Sequence, residues 1–506
     1  MDRRRFLQHA GKALAATPAV SALLATTRVL AAPPWGTLAG QLTGRLIRPG
    51  MPAYPTARLG YDPRFDGIHP KAIVMAATPA DVARTIAFAR ANGLRFAARC
   101  GGHSYGGYSL SNGIVIDVSP MGAVRPHPAA RTATIGAGAR LIDVAAGLAP
   151  TGAMIPGGTC ATVGISGLTM GGGQGVTGRR FGLTMDSLRG ATVVLADGSI
   201  VRCDEDAHPD LLWALRGGGG GNMGVVTSFT FATHRLARLT VFSLTWPWSR
   251  ADEVLRAWQS WGPSAPAALW SSCRLRWIGG SGPSVSVSGA WTGAPAALTA
   301  HLNAFAADVG SAPGRSVQTM SYLQAEMYFA GCSSLSVDQC SLSTTGGRLS
   351  RQGSFAKSDF FDGPMGPAVR GALLKRIEAR GADAALRSHS GGVLFDAWGG
   401  RIADVGPAAT AFRHRQARFL AQEFVTFGSL DPAEAQANRR WLQHLWHDLR
   451  PAASGFAYVN YIDPDLPNWK HAYYGANLAK LVRVKRRYDP DDVFRFAQSI
   501  PITLPP

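Results

Sequence analysis

Charge is scarce in this 506-residue chain: Asp, Glu, Lys and Arg make up 16% of it, against about a quarter in an ordinary soluble domain. Acids are the scarcer sign, 32 against 51 Lys and Arg, and the net charge is +19. Such an excess raises nucleic acid as a partner, yet the arginines are scattered and no basic run carries interleaved aromatics, which argues against a strand-binding surface. An anionic cofactor or a polyanionic cell-envelope neighbour accounts for part of it. The six cysteines, Cys100, Cys160, Cys203, Cys273, Cys332 and Cys340, include no CxxC pair, which removes the usual zinc and iron–sulfur patterns. Beyond the N-terminus no stretch reaches the roughly 18 uncharged apolar residues of a membrane span. No internal repeat is evident.

What is present fits a globular chain of two domains, with 46% hydrophobic residues and 60 glycines that cluster instead of following a period. The opening MDRRRFLQHAGKALAATPAVSALLATTRVLAAPP reads as a signal peptide over residues 1–32: a basic start, an Ala/Leu/Val run, and a small-residue site at Ala31 or Ala32. Arg3 and Arg4 followed by Phe6 and Leu7 match the twin-arginine pattern, with Asp2 and Gln8 replacing its usual Ser and Lys. That route exports folded proteins, often around a cofactor already loaded, and implies the twin-arginine machinery as partner and a periplasmic or secreted location. In an oxidising compartment Cys332 and Cys340, in GCSSLSVDQC, either close a short disulfide loop or stay apart if geometry forbids it.

From residue 66 to 236 strand and helix signals mix. KAIVMAAT is a strand, and Thr78 caps a helix that Pro79 opens and Gly93 ends. LRFAARC, GIVIDVS and RTATIGAG read as strands, with a helix over 141–148. ATVVLADGSIVRC is a hairpin on Asp197-Gly198, and GVVTSFTFATHRL is a further strand. Residues 237–452 turn Trp-rich and alternating, which predicts an antiparallel sheet covered by helices. Trp246, Trp248, Trp258, Trp261, Trp270, Trp277 and Trp291 are there either as sugar-stacking platforms or as core. Residues 453–506 return to the mixed pattern of the first region, since AYVNYIDP reads as a strand and YGANLAKLVRVKRRYDP as a helix stopped by Pro490. The class is α+β.

Three segments hold most of the glycine: GGHSYGG (101–107), GGTCATVGISGLTMGGGQGVTG (157–178) and GGGGGNMG (217–224). Backbone without side chains lets amide N–H groups converge on an anion such as a pyrophosphate. Gly173, Gly175 and Gly178 satisfy G-x-G-x-x-G, with Asp197 where a ribose-binding acid would sit. A nicotinamide site is nevertheless disfavoured. The residues before these glycines are no hydrophobic strand, those after them are too broken for a crossover helix, and Asp197 serves the hairpin.

RCGGHSYGG, then PGGTCATVGISGLTMGGGQG, then WALRGGGGGNMGVVTSF, and finally AYVNYIDP with YYGANLAKLVRVKRRYDPDDVFRFAQSIP, in this order and spacing over nearly all of the chain after the signal segment, resemble the berberine bridge enzyme-like family of FAD-linked oxidases. The resemblance implies a two-subdomain FAD-binding domain of the PCMH/vanillyl-alcohol-oxidase type over 66–236, completed by 453–506, with 237–452 roofing the flavin as substrate domain. It implies FAD attached twice, through His103 to the 8-methyl carbon and through Cys160 to ring carbon 6. The same loops imply cofactor contacts at Gly101, Gly102, Ser104, Gly106, Gly158, Thr159, Thr162, Val163, Gly164, Gly167, Gly172, Gly224, Val226 and Asn477. Met223 stands where the family carries Phe, a departure expected to loosen packing near the adenine.

For catalysis, the second tyrosine of Tyr458-Val459-Asn460-Tyr461 matches the family's base, with Tyr458 beside the flavin and Tyr105 lining the pocket. A free phenol titrates near 10, so something must favour its phenolate during reaction. Asp396, in LFDAWGGR, either relays the proton or is a strand-end carboxylate in a turn. Val163 matches relatives that use oxygen, which implies molecular oxygen as acceptor and hydrogen peroxide as product. The small-molecule substrate implied is a carbohydrate oxidised at its reducing end; the alternatives are a phenolic or alkaloid metabolite, or a dehydrogenase with another acceptor.

Overall fold

Thr78 opens the first long helix as its composition predicts: its hydroxyl accepts from the Asp81 N–H while the Asp81 carboxylate accepts from the Thr78 N–H, with Pro79 at the first turn. Asp81 also accepts from Thr43, Gly44 and Ala77, and these donors hold its carboxyl below the ordinary range despite burial. The helix Pro79–Ala91 buries Val82, Ile86 and Ala89 and belongs to a subdomain built on a four-stranded sheet. Its order is Arg45–Ile47, Ala72–Met75, Ile114–Asp117, Phe96–Arg99, the last three parallel. The second subdomain is a five-stranded antiparallel sheet in the order Val124–His127, Thr132–Gly136, Val225–Ala232, Leu188–Val194, Ile200–Cys203. Its Asp197-Gly198 hairpin turns through Gly198 at φ +87°.

The structure, a computed structural model, describes residues 33–428 and 431–504, and the chain from Gly36 onward makes one compact unit. The twin-arginine segment lies outside the described residues. The roof is a seven-stranded antiparallel sheet in the order Gly314–Ser321, Arg238–Trp246, Gly282–Trp291, Leu269–Ile278, Ser390–Ala397, Phe419–Phe427, Gly353–Phe361. Helices Ala251–Ser264, Pro295–Val309, Pro367–Ala379 and Pro432–Leu449 close one core with it through Trp258, Phe305, Leu373 and Leu445. The tryptophan question is settled by this core. Trp246, Trp258 and Trp291 are buried in it, Trp248, Trp261 and Trp277 pack against it, and Trp270 sits in the adjoining cluster.

Two local expectations resolve differently. Cys332 and Cys340 are bonded, with Cα atoms 5.8 Å apart, and pack beneath Ile142 and Ala161. AYVNYIDP, read above as a strand, is instead a short turn with a 3-10 stretch at Val459–Tyr461. Its backbone is held by side chains and turns: Tyr458 N–H donates to Ser358 Oγ, and Tyr461 N–H to the Tyr458 carbonyl. A strand would send residues three apart to opposite faces, whereas a 3-10 turn eclipses them. Tyr458 and Tyr461 therefore come together, ring centres 5.0 Å apart and nearly perpendicular. No helix among the described residues is long and apolar enough to cross a membrane.

Candidate active site

Glycine brings the first two loops into backbone contact. A Cβ on Gly101 would overlap the backbone nitrogen of Gly164 and lie 2.6 Å from the Thr162 carbonyl oxygen; one on Gly164 would overlap the Cys100 sulfur. Gly102, at φ +71°, then turns the chain so that His103 Nε2 meets Thr162 Oγ1 at 2.8 Å. Thus the His loop and the Cys loop meet across this hydrogen bond and close backbone approaches. His103 and Cys160 both open onto a cavity of about 960 Å³. Burial pushes His103 down to about 3, so the imidazole is neutral, and it raises the Cys160 thiol. The Cys160 side chain is open to the cavity although the loop lies deep in the protein.

Of the residues assigned above, Gly101, Gly102, Ser104, Tyr105, Gly158, Thr159, Thr162, Val163, Gly164, Gly167, Gly224, Val226, Tyr458 and Tyr461 line the same cavity. The third glycine loop adds Gly219, Gly220, Gly221 and Asn222, and the C-terminal segment adds Phe494 and Arg495. These last two parts are joined by Lys485, buried and paired with Asp489 at 2.6 Å, whose ammonium also donates to the Asn222 and Phe494 carbonyls. Met223 is buried off the cavity wall, which Asn222 and Gly224 form instead.

Four assigned residues stand off the wall. Gly106 lies where a Cβ would strike the Tyr108 ring, and Gly172, at φ +131°, makes room for Tyr458. Asn477 points away, its amide donating to the carbonyls of Pro407, Thr410 and Ala411, so it secures a loop of the roof. Asp396 sits inside the strand Ser390–Ala397, opposite Ser272 and Leu420, not in a turn. Burial pushes it up to about 6 against the opposing pull of Ser272 and Arg274. Burial first, then the charge of Asp396 and the smaller fields of Tyr105, Tyr458 and Cys160, hold the Tyr461 phenol well above its ordinary value. Tyr458 accepts from the Gly173 N–H and the Asn460 amide at 2.8 and 2.9 Å, yet burial still raises it to about 12.

Sequence reasoning missed three features. Tyr61 stacks on His103 with ring centres 3.9 Å apart, and its N–H donates to the Gly102 carbonyl. It precedes the expected domain start at 66, beside the lone Gly60 and outside the three glycine clusters. Asn460 ties the tyrosine turn to the Cys loop through the Leu168 carbonyl at 2.9 Å; its place in Y-x-N-Y was the available signal. Gln422 donates to the Tyr105 hydroxyl at 2.9 Å from the strand Phe419–Phe427, and nothing in the alternation marks it.

Three glycine-rich loops, a neutral imidazole and an accessible thiol on one cavity fit a flavin dinucleotide and define an FAD-linked oxidoreductase with a PCMH-type FAD-binding domain. Comparison with known proteins agrees. Residues 70–204 match the model of an FAD binding domain and residues 457–501 that of "Berberine and berberine like". The chain is 34% identical to the uncharacterized FAD-linked oxidoreductase YgaK of Bacillus subtilis, over 91% of this chain and 97% of that protein. It is 30% identical to the chitooligosaccharide oxidase of Gibberella zeae, over 85% and 87% of the two. The solved Physcomitrella patens BBE-like 1 superposes with a TM-score of 0.84 at 30% identity, over 93% of this chain and 99% of that one. The chain belongs to the berberine bridge enzyme-like family of FAD-linked oxidoreductases.

Proposed function

We propose that this protein holds FAD through two covalent bonds, from His103 and Cys160, and oxidises an alcohol or hemiacetal carbon of a carbohydrate, with oxygen as acceptor and hydrogen peroxide as product. The observation that carries the proposal is the Gly101–Gly164 approach, which brings the two candidate tethers to one cavity. His103 is neutral and its Nε2 is engaged by Thr162, which leaves Nδ1 for bond formation. When bound, FAD supplies the hydride acceptor and the route of electrons to oxygen.

The protein's own part is proton movement and orientation. Tyr461 takes the substrate hydroxyl proton. Its phenol is protonated at rest, so it releases its own proton toward Asp396, which is ionised near neutral pH. Tyr105, fixed by Gln422, orients the substrate beside it, its ring 6.0 Å from that of Tyr461. The carbohydrate reading is supported by the relatives named for sugar substrates, the chitooligosaccharide oxidase above and a xylooligosaccharide oxidase of Thermothelomyces thermophilus. Val163, which lines the wall and matches the residue of relatives that use oxygen, supports oxygen as the acceptor. We also propose twin-arginine export of the folded protein to the periplasm or beyond, on the pattern in residues 1–32.

The test begins with acid denaturation of purified protein. Yellow colour should stay with the polypeptide, and peptides containing His103 and Cys160 should carry the flavin mass. Free flavin in the supernatant defeats the double attachment. A peroxide assay over sugars and phenols then decides the substrate class.

A further inference from the structure

Three neighbouring strands form the substrate side of the cavity, and their two faces differ in charge. Toward the cavity, Gly353–Phe361 presents Ser354 and Ala356, Ser390–Ala397 presents Leu394, and Phe419–Phe427 presents Gln422, Phe424 and Thr426. The reverse face carries Lys357, Asp359 and Glu423, with Lys357 opposite Glu423 in register. There Lys357 pairs with Asp463 at 2.6 Å and Asp359 with Arg450. Strand alternation therefore turns Lys357, Asp359 and Glu423 away from the site, and a slip of one residue would put Lys357 and Glu423 into it; Asp396 shares the face of Leu394 but stays off the wall, beside Tyr461.

Along the whole wall, among the described residues, the charged side chains are Arg95, Arg99 and Arg495, none of them on the roof. Arg99 is spent on Asp117 at 2.6 Å, and Arg95 and Arg495 are exposed. The nearest carboxylates, off the wall itself, are also engaged. Asp62 accepts from the Ser354 N–H and from Arg64, and Asp396 is bonded to Ser272. A charged group on the substrate would give up its hydration here and meet no counter-charge on this part of the wall, whereas hydroxyls would find Ser354, Gln422 and Thr426.

Resting on the carbohydrate reading above, we infer that the substrate is an electrically neutral saccharide, and that the uncharged residues these three strands place on the cavity wall reject amino and uronic sugars. The test uses matched pairs on the holoenzyme: an oligosaccharide of glucosamine, with its amines protonated, against its N-acetylated form, and a uronic oligosaccharide against its methyl ester. Peroxide release gives kcat/KM and calorimetry on the anaerobic protein gives affinity. The neutral member of each pair should exceed the charged one by about 100-fold or more, in affinity as well as rate. Thr426→Asp should narrow the glucosamine gap about tenfold and widen the uronic one; Ser354→Asp should do the same if that variant folds poorly. Charged and neutral members within about threefold of each other would overturn the inference and leave the carbohydrate reading standing. Peroxide from phenols and from no saccharide would remove both.

Discussion

The two walls of the cavity are built on opposite terms. The loop wall is positioned by backbone: Gly101 lies against Thr162 and Gly164 with no space for a methyl group, and its residues have little freedom to change. The strand wall is positioned by side-chain alternation, so Ser354, Leu394, Phe424 and Thr426 can vary while the sheet behind them stays. On the proposed function, cofactor handling falls to the first wall and substrate choice to the second. The difference puts the first wall on contacts that tolerate no added atom and the second on positions whose side chains can change.

The sharpest way to break this contrast is a methyl group at the loop contact. Gly101→Ala must push the His loop off the Cys loop, and both opposing groups are backbone, which cannot swing aside. We expect purified protein with less than about a tenth of the wild-type flavin, read from the visible absorbance per polypeptide. Ordinary flavin content would show that the loop wall is as tolerant as the strand wall.

Next in size is Tyr461→Phe, which leaves both walls in place and removes one hydroxyl. The flavin should load normally and kcat should fall about 10²- to 10⁴-fold. Turnover at the wild-type rate would assign the proton transfer elsewhere. Asp396→Asn is a smaller perturbation of the same step. Because Asp396 titrates at about 6, wild-type kcat should decline as pH falls through that value, when the carboxylate picks up a proton and can no longer draw one from Tyr461. The variant should lose about tenfold at neutral pH and should lack that acidic limb. A kcat profile with the limb unchanged would exclude Asp396 from the relay.

The contrast between walls also explains what the sequence discloses. Backbone contact leaves a mark, since positions such as Gly101, Gly102 and Gly164 admit only one residue type, so the loops, His103 and Cys160 are legible. The tyrosine turn is half legible. Y-x-N-Y supplies the residues, but their alternation imitates a strand, and the side-chain and turn hydrogen bonds that make it a turn come from distant Ser358 as well as from Tyr458 itself. The strand wall is illegible because a half-buried Ser or Thr at an inward position looks the same facing a substrate or a core. Aromatic content alone does not decide either. The seven tryptophans allow sugar platforms or core, and their area is used to hold helices onto the sheet.

The smallest expected effect tests whether the charged reverse face of the roof costs stability. Both Glu423 oxygens are buried and lack a hydrogen-bond partner within the described protein, and Asp359 lies near enough to add repulsion. Burial therefore raises its pKa well above the ordinary carboxylate value. For an acid whose pKa is raised by folding, the unfolded chain gives up its proton first, so stability declines as pH climbs from the unfolded value, about 4.3, toward the folded one. Glu423→Met removes the ionisable group, fills similar volume, and breaks no side-chain hydrogen bond. It should stabilise the protein by about 1–3 kcal/mol at neutral pH and by little near pH 4, measured as the shift in thermal midpoint across that range. Its kcat should stay unchanged, because Gln422, Phe424 and Thr426 still face the cavity. A destabilised variant would mean that Glu423 is satisfied by bound water, and that the reverse face is fixed by specific contacts much as the loop wall is.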